Sequence, residues 1–287
     1  MHVVAHGGAG SDPDEPEPRR EVLDEAVERG RTATMPIEAV VETVRVLESN
    51  PRFNAGTGSA VQSDGTIRTD AGLMTSDREV GAACSMPGVE HAVEVARVVH
   101  SETPHVLLAS DHAVDLAADF EVATDVDLWT ATTRERWQSL SPPEGSPREH
   151  LRWVREQFGG TDTVGAVASD GETVAAATST GGRWCALAGR VGDVPQIGSG
   201  FYATPAGGAS ATGAGEDIAR VTLSRVAVEY LADGHDAQAA ADAAIDYFTD
   251  HSDGDVGIIV LTPDGDVGSA YDSPGMQTSR TANSSNI

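Results

Sequence analysis

Lysine is absent from the 287 residues. All 19 basic side chains are arginine, set against 45 Asp and Glu, for a formal net charge of −26. Such a surface repels phosphate, which argues against nucleic acid and anionic membranes as partners. A phosphate-binding loop of the P-loop type needs a lysine, so nucleotide binding is disfavoured as well. Cysteine is scarce, with only Cys84 and Cys185, so no disulfide framework is available and buried free thiols are expected. No apolar run approaches the ~20 residues that span a bilayer. The opening Met1-His2-Val3-Val4-Ala5-His6 has no basic region followed by a long apolar stretch, so no signal peptide is read. A soluble, cytoplasmic protein is the expectation. Carboxylates hold water and keep molecules apart when salt screens ordinary repulsion, so the lysine-free acidic composition reads as adaptation to a salt-filled cytoplasm.

What is present suits one large layered α/β domain, with 39% hydrophobic residues and 31 glycines for sharp turns. His2 to Ala5 reads as a buried strand ended by a tight turn at His6-Gly7-Gly8-Ala9-Gly10, and residues 11–19 as a Pro-rich loop. Pro36 opens a helix whose apolar face is Ile37, Val40, Val41, Val44 and Leu47, and Asn50-Pro51 stops it. Ala92 to Val99 and Val106 to Ala118 are predicted helices. Residues 137–162 shift in composition and read as a mobile linker. Beyond it, Thr163 to Ala168 and Thr173 to Ala177 form a hairpin around Asp170-Gly171. Helices are predicted from Gly215 to Leu231 and Ala237 to Phe248, and a second hairpin joins Gly257–Leu261 to Val267–Tyr271.

Four segments could carry chemistry. In Thr161-Asp162-Thr163-Val164, a linker runs into a Thr that opens a strand. A chain break before Thr163 would place a hydroxyl and a free α-amine on one residue, and an amine of pKa ~8 can act as the base that a weak hydroxyl nucleophile needs. Alone, the segment fits an ordinary edge-strand Thr better. The hydroxyls of Thr178-Ser179-Thr180 at a strand end could orient a nucleophile, or simply face solvent in a turn. In Gly189-Arg190-Val191-Gly192-Asp193, the Arg fork suits a carboxylate and the Asp an ammonium, which together would hold an amino-acid zwitterion; a surface ion pair fits the spacing equally well. In Thr212-Gly213-Ala214-Gly215-Glu216, backbone N–H groups ahead of a helix could bind an oxyanion, or Thr212 could cap that helix.

Taken in order, these segments resemble the plant-type asparaginase/isoaspartyl peptidase family. His6-Gly7-Gly8-Ala9-Gly10, Leu47 to Gly58, Thr103-Pro104-His105-Val106-Leu107-Leu108 and Pro274-Gly275-Met276 extend the resemblance over nearly the whole chain. The resemblance implies a four-layer αββα sandwich of the N-terminal-nucleophile hydrolase type. It implies self-cleavage between Asp162 and Thr163 into an α-chain, residues 1–162, and a β-chain, residues 163–287, and a dimer of such pairs. By the same resemblance Thr163 is the nucleophile, Thr180 orients it and Asn54 helps position the attacking group. Arg190 holds the substrate α-carboxylate and Asp193 the α-amino group, with Val191, Gly192, Ala214 and Gly215 lining the site. Thr212 and the N–H of Gly213 form the oxyanion hole. L-Asparagine and β-aspartyl dipeptides are the implied substrates, and catalysis is expected to need no cofactor. The Leu47, Glu48, Asn50, Phe53, Ala55 and Thr57 loop resembles the family's structural sodium loop.

The chain departs from the family pattern at Arg183-Trp184-Cys185-Ala186-Leu187-Ala188, where a polar stretch with Lys and then Pro is usual, leaving the leaving-group preference open. Asp162 matches the glycosylasparaginase branch rather than the usual Gly, and its carboxylate could assist self-cleavage. Glycosylasparaginase itself, a threonine protease of the same fold and a non-cleaving amino-acid-binding protein are the alternatives.

Overall fold

The apolar run Val3-Val4-Ala5 is buried on both faces, as a central strand requires. In the computed structural model of the chain, which describes residues 1–160 and 162–282, this strand does not end at the glycines. It continues as β1 (His2–Gly10), with a register break between His6 and Ala9 and Gly8 at φ +116°. The glycines therefore make a bulge inside a strand rather than the expected turn. β1 lies between β11 (Gly275–Arg280) and β5 (Val164–Ser169). β5 and β6 (Val174–Thr180) form the expected hairpin around Asp170-Gly171.

β6 pairs in turn with β2 (Arg68–Thr75), which pairs with β3 (Val80–Pro87). These two strands escaped the sequence reading because Ala and Gly fill them, where strand signals depend on β-branched and aromatic residues. β4 (Leu107–Ala109) closes the seven-stranded sheet, so residues 107–109 are strand and the helix predicted from Val106 starts later, as α4 (Ser110–Asp119).

The second sheet runs β10 (Val267–Asp272), β9 (Val256–Leu261), β8 (Gly207–Gly213), β7 (Phe201–Thr204). Valines 4, 167 and 174 from the first sheet meet Phe201, Ile259 and Leu261 from the second. Gly72 on β2 permits this approach, since a Cβ there would lie 2.1 Å from Phe201 Cε1.

Helices cover both outer faces. α1 (Pro16–Arg31), α2 (Pro36–Glu48) and α3 (Ala92–Glu102) bury Leu23, Val40, Val44, Leu47 and Val95 against the first sheet with α4. α1 starts within the segment read as a loop, because Pro at the first helical positions supports a helix start as readily as a turn. The helix predicted over 215–231 is two: Thr222 at φ +52° separates α7 (Gly215–Val221) from α8 (Leu223–Ala232). α8 and α9 (Ala237–Thr249) cover the second sheet through Leu223, Val228 and Phe248. The αββα order of layers follows. In the 137–162 region, α6 (Pro147–Gln157) follows α5 (Ala131–Gln138), and Ser146 and Glu149 cap α6 reciprocally.

Phe201 is fully buried between the sheets whereas Met35 is 46% exposed. Phe201→Ala is expected to lower unfolding stability by ~3–5 kcal/mol, and Met35→Ala by less than ~0.5 kcal/mol; urea denaturation of both variants checks the contrast.

Candidate active site

The hairpin carries the expected nucleophile to a fixed place. Val164 pairs with Ser179, so continuing the register puts Thr163 opposite Thr180. Thr163 is 5% exposed and its Oγ1 lies 3.4 Å from Thr180 Oγ1. The Thr180 hydroxyl in turn lies 3.3 Å from the Asp162 carbonyl oxygen and accepts the Gly182 N–H at 3.0 Å. The two longer contacts suit a resting site, where catalytic hydrogen bonds commonly await the reaction to tighten.

Asn54 closes the arrangement from the other half of the chain. Its Oδ1 accepts the Ala60 N–H at 2.8 Å, which turns Nδ2 toward two carbonyls. Nδ2 donates to the Asp162 oxygen at 2.8 Å and to the Gly182 oxygen at 2.6 Å. The Asp162–Thr163 carbonyl therefore sits between an amide N–H and a hydroxyl, the donors a developing oxyanion requires. The Asp162 carboxylate lies 3.8 Å from Arg19, whose guanidinium also donates to the Gly7 carbonyl. A cavity of about 760 Å³ bordered by Arg19, Arg52, Thr130 and Asp162 opens beside this bond.

Arg190 and Asp193 do not form the surface ion pair their spacing allowed. Both are largely buried, and Arg190 Nε instead donates to Glu216 Oε1 at 2.8 Å. That leaves Arg190 Nη2 and Asp193 Oδ2 buried without a protein partner. One unsatisfied buried atom on each of two oppositely charged side chains is costly unless something binds there. A Cβ on Gly215 would lie 2.4 Å from Asp193 Oδ1 and 2.9 Å from Arg190 Nη2, so glycine leaves the space between them open. Gly192 is confined likewise, since a Cβ there would lie 2.8 Å from Arg190 Nη1, and Val191 is half-buried beside it. Burial pushes the Asp193 carboxyl up to about 6 against the pull of Arg190. Burial also works to raise Glu216, but the hydrogen bond and charge of Arg190, with Arg183 adding, outweigh it and hold Glu216 at about 2.

Thr212 lies inside β8 and does not cap a helix; α7 starts after Ala214. Its hydroxyl accepts the Ala9 N–H at 3.2 Å and reaches the Thr163 carbonyl at 3.4 Å. Gly213 has φ +134° and a Cβ there would lie 2.2 Å from the Asp255 carbonyl, so only glycine fits. Ala214 N–H donates to that same carbonyl at 2.7 Å.

Among the described residues, no group of three or more His, Cys, Asp or Glu converges as a metal site. The 47–57 segment offers backbone oxygens instead. It curls around Gly56, where a Cβ would lie 2.3 Å from the Glu48 carbonyl and 2.7 Å from that of Glu90. The Glu48 oxygen accepts the Thr57 N–H at 2.9 Å and the Asn50 oxygen that of Phe53 at 3.1 Å, with Leu47, Phe53 and Ala55 buried.

Four side chains near the site carried no role in the sequence reading. Glu216 ties Arg190, and Arg183 Nη1 reaches it at 3.2 Å. Arg19 lay in a segment read as a loop. Asp70 pairs across from Thr180 and accepts the Ser85 N–H at 2.6 Å; burial raises its carboxyl to about 7, with Arg190 opposing. His6, held neutral by burial with a pKa of about 3, contacts Ser210 at 2.9 Å between the sheets. Only Glu216 lay within a motif singled out for chemistry.

Comparison with known proteins adds independent support. A family profile described as Asparaginase matches residues 1–287. The plant-type L-asparaginase of Pyrococcus abyssi is 39% identical over 93% of this chain and 92% of its own length. That of Pyrococcus furiosus is 37% identical over the same shares. The isoaspartyl peptidase/L-asparaginase of Danio rerio is 36% identical over 92% of this chain and 86% of its own. With the profile spanning the chain and the buried hydroxyls, amide and charge pair assembled at one place, the protein belongs to the asparaginase family that also includes the isoaspartyl peptidases.

Proposed function

We propose that this chain cuts itself between Asp162 and Thr163 and then hydrolyses L-asparagine and β-aspartyl dipeptides through an acyl-enzyme on Thr163. The observation that carries the reading is the Asp162 carbonyl, held by Asn54 Nδ2 and faced by Thr180 beside the Thr163 hydroxyl. A protein that only binds amino acids has no use for donors aimed at its own backbone there.

In self-cleavage Thr163 Oγ1 attacks the Asp162 carbonyl carbon. Its proton passes to Thr180 Oγ1 as the Thr180 proton moves to the carbonyl oxygen, with Asn54 supporting the charge. The C–N bond then breaks as the proton on the former carbonyl oxygen passes to the nitrogen, restoring the carbonyl and leaving an ester on Thr163. Water from the adjoining cavity hydrolyses it to the Asp162 carboxylic acid and a free Thr163 amine and hydroxyl. Arg19 and Gly8 confine the Asp162 side chain during the step.

In the mature site the Thr163 amine takes the hydroxyl proton and Oγ1 attacks the side-chain carbonyl of the substrate. Arg190 binds the α-carboxylate and Asp193 the α-ammonium, filling the two unpartnered buried atoms. Thr212 and Gly213 stabilise the oxyanion. Ammonia or an amino acid leaves with a proton, and water releases aspartate. The reaction as drawn uses no cofactor, and the 47–57 curl is read as the seat of a structural Na⁺. Residues 1–162 and 163–287 form the α/β pair, and Val106, Leu107 and Phe120, exposed at 54%, 44% and 43% near the sheet edge at β4, suit a second copy of the pair. The free buried thiols fit a cytoplasmic location, and the lysine-free acidic composition fits one rich in salt.

Intact-mass measurement of purified protein is expected to show two fragments meeting at Asp162/Thr163. Thr163→Ala should stay whole, and Asn54→Ala should cleave ~10²–10³-fold more slowly. A wild type that remains uncut after prolonged incubation in both low and high salt overturns the reading.

The pH dependence carries a second test. The neutral Thr163 amine is lost below its pKa of ~8, and the Asp193 carboxylate needed for the ammonium is lost as pH falls through about 6. Log kcat/KM for asparagine should rise with a slope near two below pH ~6 and near one from ~6 to ~8. Initial rates from pH 5 to 9 decide this, and a single slope through pH 6 removes Asp193 from the role.

A further inference from the structure

Arg183 follows directly on the Gly182 that Asn54 holds, and its contacts give it a use. The backbone leading to it is pinned, since Gly181 N–H donates to the Asn54 carbonyl at 2.8 Å and Gly182 accepts from the Asn54 amide at 2.6 Å. Its guanidinium is anchored on one side by Glu216, the carboxylate that also holds Arg190. On the other side its Nε donates to the Gly160 carbonyl at 2.8 Å and its Cζ lies 4.0 Å from the Phe158 ring centroid. The partners on that side belong to the segment just ahead of the bond proposed to break. While that bond is intact, Arg183 is occupied by the chain's own peptide. Once it is cut, Phe158 and Gly160 are tethered from one end only, and their withdrawal frees a guanidinium edge and face that Glu216 still holds in place.

Resting on the activity proposed above, we infer that Arg183 is a specificity-determining residue that binds the carboxylate of the leaving amino acid in β-aspartyl dipeptides. Glu216 fixes the two arginines relative to each other. Arg190 takes the α-carboxylate of the aspartyl moiety, and Arg183, next to Gly182 and three residues from Thr180, takes the carboxylate beyond the scissile bond. Asparagine loses ammonia and has no carboxylate at that end. The arrangement therefore favours dipeptides with a free C-terminus over asparagine and over dipeptide amides. Arg offers the planar fork that a carboxylate matches, and a protein with a net charge of −26 repels a second substrate carboxylate unless such a cation receives it.

The test compares β-aspartyl-leucine with β-aspartyl-leucine amide on protein whose cleavage is complete by mass. Wild type is expected to favour the free acid by about tenfold in kcat/KM, the value of one charge-assisted hydrogen bond, expressed mainly in KM. In Arg183→Gln the ratio of acid to amide should fall to about one, while Arg183→Lys, which keeps the charge, should retain part of it. Equal use of acid and amide by wild type overturns the inference, as does a preference that survives in Arg183→Gln. Should Arg183→Gln fail to mature, the wild-type and Arg183→Lys ratios decide. Wild type that splits asparagine but neither dipeptide also overturns it and leaves the proposed asparaginase activity standing. Cleaved wild type that hydrolyses none of the three overturns the proposed function itself.

Discussion

The amide of Asn54 ties together the two backbone segments that flank the Thr163 hairpin. It arises between α2 and β2, in the N-terminal half, and donates to the carbonyls of Asp162 and Gly182, one on each side of the hairpin that carries Thr163. A single side chain thus holds the peptide before Thr163 and the backbone after Thr180 at a set separation. The Ala60 N–H fixes which way the amide faces. Without that constraint only the longer contact from the Thr180 hydroxyl, at 3.3 Å, would be left to polarise the carbonyl ahead of Thr163.

The charged half of the site obeys a different constraint. Asp70 and Asp193 are buried beside Arg190 and the half-buried Glu216; burial raises the two aspartates, while Arg190 holds Glu216 down. Glu216 compensates Arg190 on one edge of the guanidinium only. The other edge and one oxygen of Asp193 are left unsatisfied, an arrangement that favours a ligand bearing both charges. Glycines at 192 and 215 keep the space open, because any side chain there would enter it. Stability is given up locally for a pre-formed binding place, the usual condition of a functional site.

The same glycine and alanine content that opens the site hid part of the scaffold. β2 and β3 read as featureless because Ala71, Gly72, Gly81, Ala82 and Ala83 give no strand signal, yet they are small because helices and the second sheet lie directly against them. A Cβ on Gly81 would meet the Ala96 carbonyl at 2.1 Å, and one on Gly72 would meet Phe201. The bulge at Gly8 and the break at Thr222 likewise answer to neighbours distant in sequence. The hairpin at Asp170-Gly171 and the helix from Pro36 were legible because turn chemistry and a 3.6-residue period are local properties.

By itself the sequence determined the order of motifs, the family they resemble, and the residue types available for the chemistry: hydroxyls at 163, 180 and 212, an amide at 54, opposite charges at 190 and 193. Tertiary structure alone decided that Arg190 pairs with Glu216 and not Asp193, that Thr212 sits in a strand, and that Arg19, Asp70 and Arg183 reach the site. The physical reason is that hydrogen bonds and burial are set by three-dimensional separation. Asn54 and Asp162 lie 108 positions apart in the chain but 2.8 Å apart in the fold.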